Sequence, residues 1–104
     1  MSSYAWVITR DLYAEEFDDE STDVGTYGPA GATEDMVAAA KAKGVGVSFK
    51  MYDGDGNHVY SGRIWHRKGK DHCEFQPLRD FGEPNFGCTE IRYRNAESGE
   101  WEAL

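Results

Sequence analysis

Tyr4, Trp6, Ile8 and Leu12 alternate with Ala5, Val7, Thr9 and Asp11, a period of two in β-forming residues that predicts a strand over 4–12. A second alternation, Val45, Val47, Phe49 and Met51 against Gly46, Ser48, Lys50 and Tyr52, is followed across Asp53-Gly54-Asp55-Gly56-Asn57 by a run from His58 to His66. Gly and Asn supply the positive φ angles of a tight reversal, so 45–52 and 58–66 are expected to form a β-hairpin. Between these blocks the period changes. Thr33 is placed as an N-cap, Glu34 and Asp35 occupy the first turn, Lys41 and Lys43 the last, and Gly44 follows, which predicts a helix over 34–43. Met36, Val37, Ala39 and Ala40 form its apolar face, and so short a helix should lie on a sheet. Residues 14–24 read as an acidic stretch, 25–31 (three glycines and Pro29) as an ordered loop, 73–79 as a short edge strand and 80–87 as a turn-rich loop. Residues 88–94 and 100–104 read as a closing hairpin. The expected class is α+β, a single domain with one short helix packed on a curved, mostly antiparallel sheet of about five strands. Trp6, Ile8, Val37, Phe49, Met51, Ile64 and Ile91 are the expected core.

The size fits that expectation, since 104 residues form one domain with one principal core. Aromatic residues are 13% of the chain and hydrophobic residues 39%, enough apolar surface to offset the ordering entropy that keeps acidic chains disordered. The longest wholly apolar run, Met36 to Ala40, is far short of the roughly 20 residues that span a bilayer. The N-terminus lacks a basic segment followed by an apolar one, so the protein is expected in the cytoplasm, with Cys73 and Cys88 as free thiols. Spacing alone does not exclude a bridge between them.

Charge changes the picture more than composition does. Between Arg10 and Lys41 lie nine acidic residues and no Lys or Arg, while residues 41–104 hold ten acids and ten bases. The net charge of −8 therefore resides in the first forty residues, densest in Glu15-Glu16-Phe17-Asp18-Asp19-Glu20. A one-sign patch repels nucleic acid and anionic membrane and attracts basic protein surfaces. Phe17 within the run and Tyr13 and Tyr27 flanking it supply aromatic anchors of the kind that concentrate binding energy. The candidate partner-binding residues are Tyr13, Glu15, Glu16, Phe17, Asp18, Asp19, Glu20 and Asp23, and the candidate partner is a basic protein. The five charges in residues 15–20, spaced at a strand rise of about 3.3 Å, approach the one phosphate per roughly 3.4 Å of a DNA strand, which suggests a nucleic-acid mimic. The competing surface is Arg63, Trp65, Arg67, Lys68 and Lys70 at the end of the second hairpin strand, suited to phosphate contact and base stacking. The overall charge opposes direct nucleic-acid binding there. A soluble fold whose charge serves only solubility is the third alternative.

The chain offers little to catalysis. Asp53-x-Asp55-x-Asn57 opens like an EF-hand loop, but His58 stands where the sixth position needs Gly and Ile64 where the twelfth needs Glu. His58, His66, His72, Cys73 and Cys88 lack the local pair spacing of zinc sites. Asp80-Phe81-Gly82 lacks the other kinase motifs, and no phosphate-binding, nucleophile-elbow or zincin signature occurs. Solvated carboxylates of one sign are all ionised, so none is singled out as acid or base. The expectation is a protein that is not an enzyme and holds no cofactor or metal.

The segments Tyr4-Ala-Trp-Val-Ile-Thr-Arg-Asp11, Val24-Gly-Thr-Tyr-Gly-Pro29, Phe49-Lys-Met-Tyr-Asp-Gly-Asp55 and 77–93 together resemble a group of small acidic proteins encoded on bacterial plasmids and phages, especially in actinobacteria. The resemblance implies a mobile-element accessory protein, a setting in which acidic inhibitors of host defence or DNA-processing machinery occur. It carries no activity and no catalytic residues.

Overall fold

In the computed structural model, which describes residues 4–18, 20, 23–42, 45–66, 75–95 and 97–103, strand β1 (Tyr4–Asp11) leads directly into a short helix α1 (Leu12–Glu16). There follow β2 (Tyr27–Gly28), α2 (Glu34–Lys41), β3 (Val47–Tyr52), β4 (His58–His66), a π-helical turn (Leu78–Gly82) continued by α3 (Glu83–Phe86), then β5 (Glu90–Arg94) and β6 (Trp101–Ala103). The strands form one sheet in the order β2-β1-β4-β3-β5-β6, every pair antiparallel. The class is α+β, as the sequence predicts.

Alternation puts a different cover on each face. Trp6 and Ile8 of β1, Phe49 and Met51 of β3, Tyr60 and Ile64 of β4 and Ile91 of β5 bury one face under Leu78, Phe81 and Cys88. Ala5 and Val7 face the other way, where Met36, Val37 and Ala40 of α2 cover them, with Trp65 packed alongside. Every residue expected in the core is buried. Where Phe49 pairs with Gly62, a Cβ on the glycine would stand 2.4 Å from the tip of the Phe49 ring and from the Val7 carbonyl oxygen, so the ring occupies the space a side chain would need.

Several boundaries differ from those read in the sequence. The first strand stops at Asp11 because its carboxylate accepts the Ala14 N–H at 3.1 Å, an N-cap that turns the chain into α1 within the expected acidic loop. Tyr27–Gly28, expected in a loop, pairs with β1. Helix α2 ends at Lys41, with Thr33 capping Met36 N–H at 3.3 Å, and Lys43 and Gly44 lie outside the described residues. The hairpin strands begin at Val47 and His58, and the closing pair covers 90–94 and 101–103.

The larger correction lies in 75–87. No strand forms over the described part of 73–79, and 80–87 is helical up to Phe86. Leu78 and Phe81, three apart, both reach the core, which a helical turn allows and a strand does not. Pro84 lies in the first turn of α3, and Gly87 at φ 69° ends it with its N–H on the Glu83 carbonyl. One Asp80 carboxylate oxygen accepts the Tyr4 hydroxyl at 2.9 Å and the Trp6 indole N–H at 3.1 Å, tying this segment to β1. Cys88 is a buried free thiol whose burial pushes its pKa up to about 11; Cys73 lies outside the described residues.

Candidate functional site

The acidic run is built by α1 and the turn after it. Ala14 is the buried residue of the helix, so Tyr13, Glu15, Glu16 and Phe17 are displayed outward. Tyr13 and Phe17 are four residues apart, and the helical turn brings their rings to 4.9 Å between centroids. Phe86 of α3 joins them, 5.1 Å from Tyr13. These rings stay 50%, 57% and 36% exposed, an aromatic cluster on the surface.

Beside the cluster runs an open groove of about 410 Å³. It is lined by Leu12, Tyr13, Glu16 and Phe17 from one side, by the β3–β4 hairpin tip (Asp53, Asn57, His58, Val59) from the other, and by Phe86, which packs on Tyr13. Asp53 is held by its own turn. Its Oδ1 accepts the N–H of Asp55 at 3.0 Å and of Asn57 at 2.9 Å, and these bonds, that to Asn57 first, hold its pKa below the ordinary carboxylate value. The turn reading of Asp53–Asn57 thus holds, and no cluster of metal ligands occurs among the described residues.

The other candidate carboxylates take different parts. Glu15 receives a fork from Arg10, Nη2 to Oε1 at 3.0 Å and Nε to Oε2 at 3.3 Å, an exposed pair that raises the Arg10 pKa. Asp23 accepts the Tyr60 hydroxyl at 2.9 Å; burial and this bond raise the Tyr60 pKa. Asp18 is exposed at φ 54°, Glu20 is exposed, and Asp19 lies outside the described residues. No ion pair involves Glu16 or Asp53 among the described residues. The spacing argument for a nucleic-acid mimic fails at Glu15 and Glu16, because a helix advances about 1.5 Å per residue rather than a strand's 3.3 Å. Their charge remains.

The basic alternative is dispersed. Arg63 turns toward the C-terminal end of α2, where Nε donates to Ala40 O at 2.9 Å, Nη2 to Gly46 O at 2.8 Å and Ala42 O at 3.2 Å, and Nη1 to Ser48 Oγ at 2.7 Å. Its donors cap a helix and are not turned to a ligand. Trp65 is half-buried against the α2 core, and Arg67, Lys68 and Lys70 lie outside the described residues.

A different cationic surface appears instead. Helix α2 packs on β1 and β4, and the same face of β3, β5 and β6 displays Lys50, with Nζ 4.2 Å from the Trp101 ring, and Arg92, 4.4 Å from the Tyr52 ring and 2.6 Å from Glu90. The polar phase of each strand was legible in the sequence; their side-by-side placement was not. Phe86, Asp53 and His58 were missed for the same reason, since only long-range packing brings them to Tyr13 and Phe17.

His58 lies 2.9 Å from Ser61 Oγ, a pair with the outline of a base and a nucleophile. Its Nε2 also lies 3.0 Å from the Tyr60 carbonyl oxygen, which can only accept, so Nε2 carries the hydrogen and faces Ser61 as a donor. Burial holds the imidazole below its ordinary pKa, and Tyr52 stacks on it at 5.3 Å. The pair fixes the strand rather than activating the hydroxyl.

Compared with protein-family models, curated proteins and solved structures, the chain matches none.

Proposed function

We propose that this is a non-enzymatic binding protein whose acidic, aromatic surface at α1 docks on a basic protein. The observation that carries the reading is the exposed Tyr13–Phe17–Phe86 cluster set among Glu16, Asp18 and Asp53. Rings that could have been buried are displayed, and carboxylates around them select a cationic partner and speed encounter with it. On the resemblance to small acidic proteins of plasmids and phages, the partner is a host protein of defence or DNA processing, and binding inhibits it. Mimicry of nucleic acid then rests on the field of the acidic segment. No helix among the described residues is long and apolar enough to cross a membrane, and a cytoplasmic setting suits such a partner.

The test immobilises the wild-type protein beside two variants, Tyr13→Ser with Phe17→Ser, and Glu16→Gln with Asp18→Asn and Glu20→Gln. Asn tolerates the left-handed backbone at 18. The reading predicts one basic protein retained by the wild type, lost from both variants and weakened by added salt. Equal retention on all three surfaces refutes it.

The nucleic-acid alternative, which the sequence puts on Arg63, Trp65, Arg67, Lys68 and Lys70, would draw instead on the β3–β5–β6 face, where Lys50 and Arg92 lie against the Trp101 and Tyr52 rings. Oligonucleotide binding at low salt that is lost in Lys50→Gln/Arg92→Gln would favour it. The net charge of −8 argues for no binding at physiological salt.

A further inference from the structure

We infer that the groove between α1 and the β3–β4 hairpin tip is the seat of an arginine side chain of the partner, a deepening that rests on the protein-binding reading above. A guanidinium is planar and weakly hydrated; it can lie against an aromatic ring while its edge meets a carboxylate, whereas an ammonium is a compact, strongly hydrated point charge. The groove offers both contacts together. Phe17, the most exposed ring of the cluster, provides the stacking face, with Tyr13 and Phe86 packed in the same cluster, and Glu16 and Asp53 provide carboxylates. Asp53 is pre-oriented: Oδ1 accepts the backbone N–H groups of Asp55 and Asn57, and Oδ2 accepts the Asn57 side-chain amide at 3.3 Å and keeps a lone pair for a further donor.

The chain already uses this chemistry on itself. Arg92 lies 4.4 Å from the Tyr52 ring with its Nε on Glu90, a ring, a guanidinium and a carboxylate in one contact. On α1 itself, Arg10 forks onto Glu15, immediately before the groove's Glu16. In the groove the ring and the carboxylates are present, and the partner supplies the cation.

The test titrates the protein with two short capped peptides of equal length and charge, one alternating Gly with Arg and one Gly with Lys. It follows backbone amide shifts of Tyr13, Phe17, Asn57 and Phe86. The arginine peptide should bind about five- to tenfold more tightly, the free-energy difference expected of a stacked, fork-paired guanidinium over an ammonium. Phe17→Leu keeps apolar area but removes the ring face, and should bring the ratio close to one while lysine binding stays. Phe17 is exposed, so the variant retains its fold. Equal affinities of the wild type for both peptides overturn the arginine seat and leave the acidic docking surface standing. A preference that survives in Phe17→Leu overturns the stacked geometry. Binding of neither peptide overturns both readings.

Discussion

Arg63 sits in a run that reads as nucleic-acid-binding, yet the structure commits it to the end of α2, and its removal separates the two roles. Three of its bonds, to Ala40 O, Gly46 O and Ser48 Oγ, are partly buried; the fourth, to Ala42 O, is exposed. A net value of about 1 kcal/mol for each partly buried bond, plus ~0.5 kcal/mol for a cation at a helix C-terminus, sets an upper figure of about 3.5 kcal/mol. Water entering the half-buried site replaces part of this, so Arg63→Ala should lose about 2–3 kcal/mol. Arg63→Lys keeps the charge but lacks the fork, and should lose about half as much. Urea unfolding followed by tryptophan fluorescence measures this, with a lower midpoint and an unchanged slope. A loss in Arg63→Ala below ~0.5 kcal/mol, within the range of an ordinary surface substitution, would refute the capping role.

Gly62→Ala should destabilise by about 2–4 kcal/mol, since its Cβ meets the Phe49 ring and the Val7 carbonyl oxygen at 2.4 Å; the same denaturation curves check it. Asp53→Asn should be less stable than wild type at neutral pH, because the folded-state pKa of Asp53 is lowered. That advantage, present above the ordinary carboxylate pKa, should fade as pH falls through that range and vanish below the folded value, so thermal midpoints of the two proteins should converge in acid. Replacing Glu16, Asp18 and Glu20 by Gln, Asn and Gln should leave the fold as stable or slightly firmer by relieving like-charge repulsion, whereas Asp11→Ala should lose about 1 kcal/mol through the α1 cap. Thermal unfolding distinguishes the two.

The strands were legible because alternation reports directly on burial. Trp6 and Ile8, or Phe49 and Met51, could only be the inward phase of a strand with one face on a core. Helix α2 was legible from local chemistry alone, a Thr cap, acids first and lysine last. Helix α1 was not. At five residues it is too short to show a period, and its cap, Asp11, is one acid among many. The segment 75–87 misled for another reason: the glycines and Pro84 of 80–87 read as turns, although Gly82 and Pro84 lie within one helical run and only Gly87, left-handed at φ 69°, ends it. Tyr13 and Phe17 were candidate anchors in the sequence, but their neighbours Phe86 and Asp53 arrive through tertiary packing, as does the helix end that engages Arg63.

The central claim is that α1 and the facing hairpin tip form the docking surface. Amide-resolved mapping of the labelled protein, titrated with the basic protein it retains or with the arginine peptide, tests it most directly. Shifts should gather on Leu12 to Asp18, Asp53 to His58 and Phe86, and fade with added salt. Shifts gathered instead on Lys50, Arg92 and Trp101, with α1 unmoved, would contradict the account.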